Sequence, residues 1–180
     1  MKKFLAALLM TYCLFMQSVA AQNAEELIDA YNLKKNVEGG YFAEIYSSRF
    51  FYERSKDSRM TAGSIYFLLD KKDISHFHQI DCDEIWYYHA GCGMKIIALW
   101  DGQIKEFLLG MDAGQVPMVV IPAKTIFAAE NLDKKSFTFI SCMTTPQFDY
   151  RGFRLVSRSE LEKEYPNLPA QILSMAYEKI

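Results

Sequence analysis

The feature that most constrains the fold is a series of short runs rich in β-branched and aromatic residues, separated by turn residues. Each run has the length of one strand and is too short for a typical helix. The predicted strands are 41–46, 64–69, 75–80, 84–89, 94–100, 103–109, 117–121, 125–129 and 136–143. Asp101-Gly102 between two of them is a strong hairpin signal. Many short strands joined by turns predict an all-β sandwich or barrel, of which the jelly roll is one form.

One short helix is expected at each end of the mature chain. Asn23 is a suitable N-cap, and the acidic residues Glu25 and Glu26 follow it in the first turn. Near the other end, Ser157 can cap a second helix, which Pro166 would stop. Because no repeat, low-complexity tract or linker interrupts the sequence, we predict a single domain over 22–180.

Residues 1–21 have the pattern of a secretory signal peptide. Two lysines precede the apolar stretch 4–16, and the small residues of 18–21 form a cleavage site, with Ala21 the preferred last residue. The apolar stretch falls short of the about 20 residues that a membrane span needs. We therefore predict export to the periplasm or the outside, which leaves 159 residues, enough for one domain with a core.

The charge of the mature chain disfavours nucleic acid as a partner. Removal of Lys2 and Lys3 leaves 18 of the 20 basic residues against 22 acidic ones, a net charge of −4, and no basic patch is visible. No other apolar run is long enough for a bilayer, so the mature form is expected to stay off the membrane.

The stretch "SHFHQIDCDEIWYYHAG" (75–91) contains all three histidines of the chain. In a regular strand, residues two apart share a face, so His76 and His78 should project together and lie beside Glu84 of the next strand. Two imidazoles and a carboxylate suit Fe(II) or Mn(II). The same groups without metal can abstract and return a proton. A third interpretation is that these strands carry histidines that have no functional role. The spacing of the residues alone does not exclude it.

This stretch resembles the first cupin motif, which runs His-x-His, three or four residues, Glu, six residues, Gly. His76, His78, Glu84 and Gly91 match it, with one extra residue between His78 and Glu84. The resemblance implies a double-stranded β-helix whose interior holds these side chains.

The second cupin motif, Pro-x-Gly-x-x-His-x-x-x-Asn, is similar to "PAKTIFAAEN". Pro122 and Asn131 fall in register, but Lys124 replaces the glycine and Phe127 replaces the last histidine ligand. Because a phenyl ring cannot ligate, a metal would keep only the three side chains of the first motif. We therefore expect no tightly bound cofactor, with a weakly bound divalent metal as the rival.

Several further motifs resemble one uncharacterised cupin-like family whose hallmark is a Pro-Glu-Gly-Gly-Tyr-Phe opening. They include "NVEGGYFAEIY", "IPAKTIFAAEN" and "PQFDYRGFRLVSRSEL", and the match runs from about residue 32 to about 167. The chain departs from the family at Val37, Ser47 and Phe127. The resemblance implies a single jelly roll, usually dimeric, that is closer to sugar-nucleotide epimerases than to metal dioxygenases.

One face of the strand 41–46 carries a carboxylate between two aromatic residues. The resemblance favours this face as part of the pocket, with Glu44 as a hydrogen-bond anchor or a base. The alternative turns Glu44 to solvent and buries the opposite face. The predicted ligand-binding walls are Phe42, Tyr46, Trp86, Tyr88 and Phe127.

Together these features predict an all-β cupin jelly roll with a short helix at each end, exported and homodimeric. We expect it to bind a small polar organic ligand, as an isomerase or epimerase on a sugar or similar polyol. The proton-transfer candidates are His78, His76, Glu84 and Glu44. The alternatives are a metal-dependent enzyme using His76, His78 and Glu84, and a ligand-binding domain without catalysis. An isomerase and a binder need the same pocket, so the residues leave open whether this is an enzyme.

Overall fold

A computed structural model describes residues 23–54 and 57–180, so the predicted signal peptide lies outside the described residues. The strands are β1 (Lys34–Lys35), β2 (Tyr41–Ser47), β3 (Phe51–Arg54), β4 (Asp57–Met60), β5 (Gly63–Asp70), β6 (Ile74–Gln79), β7 (Asp83–Gly91), β8 (Met94–Trp100), β9 (Gln103–Leu109), β10 (Met118–Ile121), β11 (Ile126–Asn131), β12 (Phe137–Thr145) and β13 (Arg154–Leu155). The helices are α1 (Ala24–Ala30), α2 (Arg158–Glu164) and α3 (Ala170–Leu173), with a 3-10 turn at Tyr150–Gly152.

Two antiparallel sheets face each other. The larger has the order β1-β2-β5-β12-β7-β10 and the smaller has the order β13-β6-β11-β8-β9, while β3 and β4 form a separate hairpin. From β5 onward the chain passes back and forth between the two sheets, apart from the β8–β9 hairpin, as in a jelly roll. The all-β prediction is confirmed, and each of the nine predicted strands is found within two residues at either end.

Both predicted helix starts are confirmed. Asn23 Oδ1 accepts the Glu26 backbone N–H at 2.9 Å, and the Glu26 carboxylate accepts the Asn23 N–H at 3.3 Å, which completes a capping box. Ser157 Oγ accepts the Glu160 N–H at 3.3 Å at the start of α2. The short α3 was not predicted.

The main core lies between the two sheets. Phe67, Trp86, Ile96, Phe127 and Ile140 are among its fully buried members. A second cluster packs the outer face of the smaller sheet against the C-terminal helices, and a third packs α1 against the outer face of the larger sheet. Within the described parts of the chain, no helix combines the length and the apolar character needed to cross a bilayer.

Candidate functional site

A cavity of about 300 Å³ lies between the two sheets, beside the segment 147–153. This volume falls at the lower end of the about 300–1,000 Å³ typical of small-molecule sites. Most of its wall is apolar or aromatic, including Phe42, Tyr46, Phe67, Trp86, Phe148 and Phe153. The wall includes the carboxyl groups of Glu38, Glu44 and Glu84 and the imidazole of His78, and no lysine or arginine is among its described lining residues.

The strand that carries the two central histidines is not regular. The register of β6 against β11 shifts between Ser75 and His78, so that two residues of β6, His76 and Phe77, lie opposite the single residue Ala128 of β11. Such a β-bulge places two successive side chains on one face. Phe77 belongs to the cluster under the C-terminal helices, and His76 turns to the same side, while Ser75 and His78 turn to the other.

The predicted pairing of His76 with His78 is therefore wrong. His76 Nδ1 lies 2.9 Å from the Met175 carbonyl oxygen, and its ring centroid lies 3.9 Å from that of Tyr177. Glu84 lines the cavity with His78, but His76 does not. Among the described residues, no group of three His, Cys, Asp or Glu side chains is arranged to hold a metal ion. The residues present do not fit the proposed 2-His-1-carboxylate centre.

Glu38 takes the place next to His78 that the sequence analysis gave to His76. Its Oε1 accepts the Ser75 hydroxyl at 2.9 Å, and its Oε2 lies 3.4 Å from His78 Nε2. The Glu38 side chain is only 13 % exposed. Sequence reasoning missed this residue, although it lies inside the "NVEGGYFAEIY" motif, because the loop that carries it precedes the strand.

A tight glycine turn brings Glu38 against β6. Gly39 and Gly40 have φ values of 111° and 70°, in the region that favours glycine. A Cβ atom on Gly39 would lie 2.0 Å from the Ile74 carbonyl oxygen, so no larger residue fits there without a backbone shift. In addition, the His76 N–H donates to the Glu38 carbonyl at 2.7 Å. The Gly-Gly pair is thus required for the approach of the Glu38 carboxyl to His78.

The backbone fixes the orientation of the His78 imidazole. Its Nδ1 lies 2.7 Å from the His76 carbonyl oxygen, and because a carbonyl only accepts, this partner assigns the proton to Nδ1. The Nε2 lone pair of the neutral ring then faces Glu38. Burial lowers the pKa of His78, and burial raises the pKa of Glu38 to about 7 although the Ser75 hydrogen bond opposes this. The pair can hold one exchangeable proton near neutral pH.

Glu84 is the second buried carboxyl of the cavity. It is 8 % exposed, and its Oε2 has no hydrogen-bond partner among the described residues. Burial raises its pKa to about 7, and the charge of Glu38 adds to the rise, while the nearby Trp86 indole and His78 oppose it. Trp86 Nε1 lies near this carboxyl, but no described residue meets hydrogen-bond geometry with it. Both of these buried polar atoms belong to residues that line the cavity.

The predicted face of β2 is the one that lines the cavity. Phe42, Glu44 and Tyr46 all contribute to the wall, whereas Ile45 between them does not. Glu44 lies at the exposed mouth, where its Oε1 accepts the Gln147 side-chain amide at 3.4 Å.

Two of the predicted wall residues lie outside the wall. The Tyr88 hydroxyl donates to the Gly91 carbonyl at 2.7 Å, and the ring packs against the main core. Phe127 is fully buried, with its ring centroid 4.2 Å from that of His78. Neither residue lines the cavity, so Phe127 supports the imidazole from behind and does not contact the ligand space.

A group of aromatic residues on the segment 147–153 was missed by the sequence analysis. Phe148, Tyr150 and Phe153 contact one another edge to face, with ring centroids 5.0 to 5.9 Å apart, and all three line the cavity. The segment lies inside the motif "PQFDYRGFRLVSRSEL", but it has no strand or helix periodicity that would indicate where its side chains lie.

The second cupin-like motif has a structural role here. Lys124 has φ 65°, which explains the preference for glycine at this position. The buried Asn131 amide nitrogen lies 3.0 Å from the carbonyl oxygens of Leu69 and Lys71 and joins β11 to the end of β5.

Comparisons with known proteins agree with this architecture. Residues 25–156 match the family model described as Cupin superfamily (DUF985). An uncharacterised protein of Saccharomyces cerevisiae is 30% identical over 143 residues, which is 70% of this chain and 71% of that protein.

Two solved structures are also similar. A hypothetical protein from Leishmania major has a TM-score of 0.80 at 28% identity, covering 87% of this chain and 100% of its own. A protein from Shewanella oneidensis has a TM-score of 0.81 at 33% identity, and the match covers 88% of this chain and 99% of that protein. The chain belongs to the cupin superfamily, in the family of uncharacterised function described as DUF985.

Proposed function

We propose that this protein binds a small polar organic ligand in the barrel cavity and acts on it as an isomerase or epimerase, with a sugar or similar polyol as substrate. The observation that carries the proposal is the contact between Glu38 and His78, 3.4 Å apart in a largely apolar cavity. Proton transfer works best when the groups involved titrate near the operating pH, and burial raises the pKa of Glu38, the partner of His78, to about 7.

The proposed reaction begins at a carbon next to a substrate carbonyl. The C–H bond breaks, its proton moves to His78 Nε2, and the electron pair forms the C=C bond of an enediol-type intermediate. The Glu38 carboxylate stabilises the imidazolium that results. Return of the proton to the neighbouring carbon, with transfer of the hydroxyl proton from one enediol oxygen to the other, completes an isomerisation. Return of the proton to the other face of the same carbon completes an epimerisation, and neither reaction needs an oxidant.

Glu84 has a different part in this scheme. In its protonated form, which burial favours up to a pKa of about 7, its hydroxyl can donate to the oxygen on which negative charge develops. The donor is held in place before the reaction starts, since the surrounding side chains already exclude water from it. The unpartnered Oε2 supports this role.

The metal-dependent alternative has less support, because His76 is held by Met175 on the other side of β6. A binder without catalysis remains the second candidate, and the unpartnered atoms of Glu84 and Trp86 suit it equally well.

The test is exchange of the substrate C–H proton with solvent deuterium, followed by NMR on a panel of aldoses and ketoses. His78→Asn is the matched variant, because the Asn amide can keep the hydrogen bond to the His76 carbonyl while Nε2 is lost. We expect exchange to fall by at least about 100-fold in His78→Asn, as for loss of a general base. His89→Asn serves as the control, since His89 Nε2 contacts Ser141 and His89 does not line the cavity. Equal exchange in wild type and His78→Asn would refute the assignment, and no exchange on any substrate would favour the binder.

A further inference from the structure

We infer that the ligand of this cavity carries a positively charged nitrogen, an ammonium or related group, which binds Glu84 against the aromatic wall. A polyol substrate would then be an amino-substituted polyol. The inference rests on the proposed function for the location of the ligand, but not for proton transfer.

The charge of the cavity wall is the first ground for this inference. Three carboxyl groups line it, from Glu38, Glu44 and Glu84, and none of its described lining residues is a lysine or arginine. A phosphorylated or nucleotide-linked sugar would meet these three carboxyl groups and no lysine or arginine to pair with its own charge. Like charges within a low-dielectric cavity repel strongly, so the wall selects against anions and in favour of cations.

Glu84 supplies the second and independent ground. It is more than nine-tenths buried, it lines the cavity, and its Oε2 has no partner. A buried carboxylate is stable only when it is paired or hydrogen-bonded. A ligand ammonium group would donate to the ionised Glu84 carboxylate and supply the opposite charge that the wall lacks. With such a ligand, Glu84 would act as the anchor of the cation and not as a hydroxyl donor.

The aromatic residues complete the environment of a cation. Trp86 and Phe67 stand 6.1 Å apart between ring centroids, and the rings of Phe148 and Phe153 enclose another part of the cavity. Aromatic faces attract ammonium groups, and tryptophan does so most strongly. The polar lining residues Ser64, Thr144 and Gln147 can form hydrogen bonds with hydroxyl groups on the same ligand. A nitrogen cation and a neighbouring hydroxyl together define an amino alcohol.

The experiment compares two probes that differ in one group, 1-amino-1-deoxysorbitol and sorbitol, by isothermal titration calorimetry at about pH 8, where the carboxyl groups are ionised. We expect the amine to bind at least about tenfold more tightly, as for a charge-assisted hydrogen bond. Sorbitol 6-phosphate should not bind. The Glu84→Gln variant, checked for folding by circular dichroism, should lose the preference for the amine, whereas Glu106→Gln on the exposed face of β9 should keep it.

Equal binding of the two probes, tighter binding of the phosphate, or no binding of the amine would overturn the inference. A Glu44→Gln variant gives a second measure, with a smaller loss because Glu44 lies at the exposed mouth. The isomerase proposal and the cation-site proposal can be refuted independently. A preference for the amine without proton exchange would leave the cation site standing and refute the isomerase. Proton exchange on an uncharged sugar, without a preference for the amine, would support the isomerase and refute the cation site.

Discussion

The buried carboxyl of Glu84 should make the ligand-free protein less stable as the pH rises. Its pKa is about 7 in the folded protein, against an ordinary value of 4.5 that applies to the unfolded chain. Between these values the folded state binds more protons than the unfolded state, so the free energy of unfolding falls as pH increases. The stabilisation is fully present below about pH 4.5 and is lost by about pH 7.

The size of the effect follows from the difference between the two pKa values. At about 1.4 kcal/mol per pKa unit, ionised Glu84 should cost about 3 kcal/mol at pH 8 and less than about 1 kcal/mol at pH 5. The Glu84→Gln substitution removes the ionisation and keeps the size of the side chain. The variant should therefore gain about 2.5 kcal/mol relative to wild type between these two pH values.

Urea unfolding followed by tryptophan fluorescence at about pH 5 and about pH 8 measures this difference. Any constant cost of the amide cancels, because only the change with pH is compared. The accompanying rise in melting temperature at pH 8 should be about 5–10 °C, at about 2–4 °C per kcal/mol for a chain of this size. His78 acts in the opposite direction, since its pKa is lowered by burial, but it contributes to both proteins. Parallel stability curves for wild type and Glu84→Gln would refute the claim that this carboxyl is destabilised by burial.

Three further outcomes are expected. Mass spectrometry of the exported protein should show an N-terminus at Gln22 or one residue earlier, and an intact Met1 would contradict export. Protein purified without chelator should hold less than one equivalent of transition metal by elemental analysis; a full equivalent that is lost in His78→Ala would contradict the displacement of His76. Finally, His78→Ala should destabilise the fold by about 2–4 kcal/mol in urea unfolding, because His78 is 2 % exposed and bonded to a backbone carbonyl. A loss below about 1 kcal/mol would mean that the ring packs loosely.

The central strands and both helix starts could be predicted from sequence because their signals are local. Alternating apolar residues and turn residues act within a few positions, as at Asp101-Gly102. The two-residue strands β1 and β13 have no such signal, since each exists only through its partner in the sheet. The hairpin of β3 and β4 was missed for a related reason: its polar and charged residues resemble a loop.

The candidate site was predicted in part. Glu84 and Trp86 follow from strand alternation, and they line one cavity with His78 and the predicted face of β2. The face of His76 depends on a bulge, which is decided by the pairing of β6 with β11 and by the Met175 carbonyl almost a hundred residues away. Strand periodicity carries no information about such a contact. For Glu38, the relevant signal was the Gly-Gly pair that follows it.

The bulge in β6 determines which positions of this strand could supply the ligands of a designed metal centre in the barrel. Ser75 and His78 both contact the Glu38 carboxyl. They are three positions apart in the sequence, whereas in a regular strand neighbours on one face are two apart. A second imidazole would have to be introduced as Ser75→His, because His76 is on the wrong side of the strand. The same letters His-x-His can therefore specify a metal pair in a flat strand and a single inward histidine in a bulged one. In this chain, the one extra residue of the bulge is enough to separate the two arrangements.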